Sequence, residues 1–145
     1  MEPPALRIRR GRRQDFAAVM RLLMPEEGEA DRRTLRRFRH IVADLGADLY
    51  VAELAGKVVG VIHASYARQL TGAQRARVEG LAADPDCRQH AVEQRLLEFI
   101  VARARGRACA DVSCVPTSDD TAAIVRAAGL DPVGTRYSRP LSGEA

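Results

Sequence analysis

Apolar and polar residues alternate at the start of the chain, in Leu6-Arg7-Ile8-Arg9, which predicts a first strand, edge or half-buried. The period then lengthens. Phe16, Val19, Met20 and Leu23 recur at helical spacing, and Pro25 stops that helix. Residues 25–30 are acidic and contain glycine, the composition of a loop. A second helix is predicted from Asp31, a residue suited to the N-cap, to Leu45, with Gly46 as its C-terminal stop. Its apolar stripe is Leu35, Phe38, Ile41 or Val42, and Leu45, and Arg32, Arg33, Arg36, Arg37 and Arg39 lie around the rest.

Residues 49–54 and 57–64 flank a short turn at Ala55-Gly56 and read as an antiparallel hairpin. Residues 69–74 read as a loop. Residues 78–83 form a short apolar run broken by Glu79, the pattern of a buried strand, and Asp84-Pro85 ends it because proline cannot donate to a ladder. Helical spacing resumes with Val92, Leu96, Phe99 and Ile100, Arg103 standing on the fringe, and extends to Arg105. A further strand over 108–115, a helix over 121–128 capped by Thr117-Ser118-Asp119-Asp120 and ended by Gly129, and a weakly alternating last strand over 133–138 complete the chain. The order is β-α-α-β-β-β-α-β-α-β, an α/β (α+β) arrangement with no repeat or linker.

The chain of 145 residues is long enough to bury a core as one compact domain, and 46% apolar with 29% charged residues is a globular rather than a disordered composition. No apolar run approaches the length of a membrane span, and Met1-Glu2-Pro3-Pro4 lacks a signal-peptide core, so a cytoplasmic protein with no membrane partner is expected. Cys87, Cys109 and Cys114 are odd in number and lack CxxC spacing, which argues against a disulfide framework or a zinc site. His40, His63 and His90 show no metal-ligand spacing, and Ser113 and Cys114 have no partner histidine; no metal and no nucleophilic catalysis are expected. The formal charge of +4 suits a polyanionic cofactor or a nucleic acid equally.

The passage from the buried strand through Asp84-Pro85 into the next helix changes that balance. A strand feeding a helix through a polar turn presents free backbone N–H groups at the helix start, where phosphates bind. This stretch resembles the central motif of the GNAT superfamily of acyl-CoA N-acyltransferases, in which a strand with an acidic residue runs into a turn of the type Arg/Gln-x-x-Gly-x-Gly/Ala. Arg88 matches the opening position, Ala91 stands at the first glycine and Glu93 at the second small residue. Arg-x-x-x-x-x-Asp-Phe before the first helix, Val-Ala-Glu-x-x-Gly-Lys-Val-Val-Gly in the hairpin and Ala-Ala-Gly-Leu-x-Pro-Val-Gly-x-Arg-Tyr-Ser near the end extend the resemblance from Leu6 to Leu141.

The resemblance implies a single GNAT-like domain over residues 1–145, with a central mixed, mostly antiparallel sheet flanked by four helices. It implies acetyl-CoA as co-substrate and direct transfer of the acyl group to the amine of a small molecule or a protein. Leu81, Ala82 and Ala83 would pair with the pantetheine arm beside a bulge. Arg88, Gln89, His90, Ala91, Val92 and Glu93 would cradle the diphosphate, and Glu79 would be the general base, its pKa raised by burial. The sequence departs from the pattern in three places. The methyl group of Ala91 fits only if the local φ is negative. Glu93 sets a carboxylate beside the diphosphate, at a cost of roughly 1 to 4 kcal/mol for like charges a few ångströms apart. Val125 falls where a thiolate-protonating tyrosine is expected, and Tyr50, Tyr66 and Tyr137 do not fit that place.

Each of these residues also has a plainer reading. Ala82 and Ala83 pack under a helix, Glu79 pairs with an arginine, Glu93 answers the helix dipole in place of an anion, and Cys87 is a turn residue. A GNAT-shaped domain without CoA, acting as a binding or regulatory module, is therefore the alternative. The arginine face of helix 31–45 would suit an acidic acceptor or simply solvent. With 4% aromatic residues and no recognisable motif, nucleic-acid binding has little support. A homodimer stays open.

Overall fold

A computed structural model describes residues 4–26 and 31–141. The elements are β1 (Leu6–Arg10), α1 (Phe16–Leu23), α2 (Arg32–Ala43), β2 (Ala47–Leu54), β3 (Lys57–Gln69), β4 (Gly72–Ala83), α3 (Val92–Gly106), β5 (Val112–Cys114) and α4 (Asp119–Ala127). A single 3-10 turn, Arg13–Asp15, leads into α1, and a six-residue 3-10 turn kinked at Cys87, Pro85–His90, leads into α3. The strands lie in the order β1-β2-β3-β4-β5, antiparallel except for the parallel β4–β5 pair. A five-stranded mixed sheet with four helices is the α/β architecture expected.

Period-2 alternation in β2 sends Leu49 and Val51 to one face and Tyr50 and Ala52 to the other, so the strand is buried on both sides. On the first face Val19 of α1 and Phe38 of α2 close over Leu49, Val51 and Val61. On the second, Leu96, Leu97 and Ile100 of α3 and Val125 of α4 close over Tyr50, Ile62 and Val78. Asp48 is buried on that side, accepting from Tyr66 Oη at 2.6 Å and from Arg103 Nε at 2.7 Å. The pull of burial on its pKa is upward, but these two donors outweigh it and leave the carboxyl below its ordinary value.

The hairpin turn is where the sequence puts it, with Ala55 at φ +51° and Gly56 at φ +80°, the left-handed pair of a tight two-residue connection. Asp31 caps α2 by accepting from the Thr34 N–H at 2.9 Å.

Several boundaries differ from the sequence reading. Helix α2 stops at Ala43 rather than Leu45; Asp44 takes the C-cap, Leu45 is 91% exposed, and Gly46 is part of the turn into β2. Residues 69–74 are not a loop, since β3 and β4 continue as a ribbon joined at Leu70-Thr71. The strand expected over 108–115 shrinks to three residues of β5. The last strand, over 133–138, is absent: every residue from 131 to 141 is exposed and outside regular structure. Of the loop expected over 25–30, residues 27–30 lie outside the described residues. Among the described residues no helix is long and apolar enough to cross a membrane.

Candidate functional site

The β3–β4 register shifts twice, once near the tip between Ala67 and Gln69 and once at mid-strand between His63 and Ala64. His63 pairs with Gly80 and Ala64 with Val78, so Glu79 is the inserted residue of a β-bulge. The bulge shifts the strand's phase. Val78 joins the α3-side core, whereas a Cβ on Gly80 would meet Leu23 of α1 at 3.5 Å, on the opposite face. The β4–β5 ladder ends at the same place, with the pair Val78 and Cys114. Beyond it, Gly80, Leu81, Ala82 and Ala83 are paired to β3 alone among the described residues, and their other edge is open.

That edge leads into a cavity of about 440 Å³ between the end of β4, the 3-10 turn and α4. Ala83, Arg88, Ala91, Val92 and Glu93 line it, together with Asp84, and Asp120 of α4. Ala91 is left-handed at φ +50°, ψ +45°. The condition under which its methyl group would be harmless is thus not met; the turn requires the conformation that glycine adopts freely. The first α3 bond runs from Arg95 N–H to Ala91 O at 3.0 Å, so the N–H groups of Val92, Glu93 and Gln94 stand at the helix end without an intrahelical acceptor.

Glu93 is half-buried and turned into this cavity. Burial and then the Asp120 charge push its pKa up, against the pull of Arg88. His90 closes the 3-10 turn, half-buried, and Gln89 precedes it there. Val92 is buried against Gly60, where a Cβ would come within 2.4 Å of Val92 Cγ1. Leu81 packs on the α3 side and Ala82 on the α1 side.

Glu79 is not buried. Its side chain is 34% exposed, with Oε1 accepting from Ser65 Oγ at 2.9 Å and 3.3 Å from Arg77 Nε, so the ion pair is present and the expected desolvation is not. Histidine spacing along the chain had singled out nothing, yet the register sets His63 across from the bulge. Burial lowers the His63 pKa, while Glu79 and Asp44 push it back up. Only the strand pairing reveals this neighbourhood; His63 and Glu79 are too far apart in sequence to form a motif. Val125 is 6% exposed within the core and offers no proton. Tyr50 and Tyr66 are engaged around Asp48, and Tyr137 is 90% exposed. Among the described residues no cluster of His, Cys, Asp and Glu could hold a metal ion.

The sequence profile of the Acetyltransferase (GNAT) family matches residues 16–125. The chain belongs to the GNAT acetyltransferase family. No curated protein sequence matches it significantly. Solved structures share the GNAT fold at low identity. A transcriptional regulator from Bacillus halodurans C-125 is 19% identical with a TM-score of 0.85, over 94% of this chain and 100% of that one. Glucosamine-6-phosphate N-acetyltransferase from Arabidopsis thaliana is 16% identical with a TM-score of 0.82, over 95% and 99%. Ribosomal-protein-alanine N-acetyltransferase from Brucella melitensis biovar Abortus 2308 is 17% identical with a TM-score of 0.77, over 95% and 100%.

For the coenzyme A that this family implies, the backbone frame fits: an open strand edge, a left-handed turn and three N–H groups at a helix start. Arg88 fits as well. Glu93 and Asp120 oppose a diphosphate in the same cavity.

Proposed function

We propose that the protein is an acyl-CoA N-acyltransferase that moves an acetyl group from acetyl-CoA to the amine of a small molecule or protein. The observation that carries this reading is the bulge at Glu79, which coincides with the end of the β4–β5 ladder and leaves Gly80 to Ala83 open beside the cavity at the start of α3. Bound acetyl-CoA would supply an activated acyl carbon and a sulfur leaving group. The open edge of Gly80, Leu81, Ala82 and Ala83 has N–H and C=O groups to orient the arm, and an N–H there can polarise the acyl oxygen. Arg88 and the α3 N–H groups supply the charge and donors for phosphate. The Glu79 carboxylate, beside the bulge and open to water, draws the amine and serves as its proton acceptor through solvent. With Val125 at the usual tyrosine position, water is left to protonate the thiolate.

The carboxylates Asp84, Glu93 and Asp120 against the one Arg88 favour a second reading, a GNAT-shaped module that no longer binds CoA. A thermal shift separates the two. Acetyl-CoA at 100 times its Kd should stabilise the protein by about 2.7 kcal/mol. No shift at millimolar acetyl-CoA would leave the module. If it binds, Glu79→Gln should reduce kcat while leaving CoA affinity unchanged.

A further inference from the structure

A second, smaller cavity of about 160 Å³ lies on the opposite side of the sheet, between α1, α2 and the strands. Val19, Leu23, Phe38, Ile41 and Leu49 form its walls, and it is apolar for most of its surface. His63 and Arg37 are the ionisable groups that line it among the described residues, and no carboxylate does. The lack of a side chain at Gly80 brings the slot to the bulge: a Cβ there would lie 3.5 Å from Leu23 Cδ2 and 4.0 Å from His63 Cβ. Gly80, at which the open edge of β4 begins, thus lies beside two of the residues that line the slot, Leu23 and His63.

We propose that this slot takes the acceptor, and that the acceptor is a small primary amine on a compact apolar body bearing a carboxylate, an apolar amino acid being the simplest case. The inference rests on the transferase reading and narrows it. An ammonium group among apolar walls loses hydration, so it needs a nearby group that can take its proton. His63, set across the bulge from Glu79, is the first such group: the ammonium N–H bond breaks, an imidazole N–H forms, and the proton passes on through water by way of the Glu79 carboxylate to solvent. Burial of His63 in the slot wall favours the uncharged imidazole needed to accept the proton, over the opposing pull of Glu79 and Asp44. Arg37 stands where α2 borders the slot; Thr34 beside it is bonded to Asp31, and Arg32, Arg33, Arg36 and Arg39 add positive charge elsewhere on the helix. Arg37, backed by the net positive charge of α2, attracts a carboxylate and repels polyamines. The volume suits an apolar amino-acid side chain rather than a sugar ring system or a long polyamine.

The test measures binding of leucine, phenylalanine, leucinamide, spermidine and glucosamine to the whole protein by calorimetry, with and without CoA, and then kcat/KM with acetyl-CoA. Leucine and phenylalanine should bind the protein even without CoA, and leucine should be preferred over leucinamide by about tenfold, or roughly 1.4 kcal/mol. Leu23→Trp should fill the slot and abolish binding of the acids; Arg37→Gln, on the helix surface, should remove the preference for leucine over leucinamide. His63→Gln should lower kcat and leave leucine binding in place. Failure of wild-type protein to bind either acid, or tighter binding of spermidine or glucosamine, would overturn the inference. Leucine binding without CoA binding would strike the transferase reading alone; CoA binding without leucine binding would strike this inference alone.

Discussion

Ala91 is held at φ +50°, a conformation that costs an L-residue roughly 1–2 kcal/mol relative to glycine and brings its methyl group to the corner where phosphate would bind. Ala91→Gly relieves that strain but adds freedom to the unfolded chain, so stability should rise by at most about 1 kcal/mol in urea denaturation. Two residues on, the effect is electrostatic. Burial and Asp120 hold the Glu93 pKa above its ordinary value. A raised carboxyl favours the native state while protonated, and that advantage is lost as pH rises from the ordinary carboxylate range through the raised value. Glu93→Gln should therefore flatten the stability profile in that window. It should also tighten CoA binding at neutral pH by about tenfold, the scale of one like-charge contact near a protein surface. Wild-type affinity should improve on acidification while the Gln variant stays level, both followed by calorimetry. That Glu93 sets a carboxylate at the start of α3 could be read from sequence, because its place in the motif frame is enough to put it there. The Ala91 backbone could not, since alanine gives no sign of a left-handed turn.

Among the elements, α3 is fixed to the sheet at two points, and each gives a test. Its first residue lies over Gly60, where a Cβ would approach Val92 Cγ1 to 2.4 Å. Gly60→Ala should cost about 1–3 kcal/mol in overpacking, and should weaken CoA binding by displacing the helix start. Near its other end Arg103 binds the buried Asp48, so Asp48→Asn should destabilise by about 1–3 kcal/mol in denaturant titration, the charge-assisted bonds being lost while water screens the partly exposed guanidinium. Legibility followed burial. Helices α1, α3 and α4 and the β2–β3 hairpin declared themselves because their apolar spacing is enforced by two packed faces. The ribbon at residues 69–74 did not, because it projects into solvent, with Leu70 fully exposed, and is held by backbone bonds that need no hydrophobic pattern. Leu45 fitted the helical stripe of α2, but Asp44 had already turned the chain.

For the molecule as a whole, the clearest departure is at the C-terminal end. Val133, Thr135 and Tyr137 alternate as a strand would, yet Val133 and Tyr137 are 96% and 90% exposed and β5 pairs with β4 alone among the described residues. Alternation predicts a face; it does not supply a partner. Amide hydrogen exchange should accordingly be fast across 133–138 and slow in β2 and the paired part of β3, and protection at Val133 and Tyr137 would show that the segment has found a sheet. The bulge carries the broadest consequence. It is an offset of one residue in the backbone, so any side chain could stand at position 79 and the two ends of β4 would still look to opposite faces. Deleting the residue would bring them back into step, turning Gly80 away from Leu23 and extending the ladder flush toward β5. The opening of the sheet at this point is therefore built into the count of residues along one strand, and evolution could exchange the side chain there without closing it, whereas shortening the chain would.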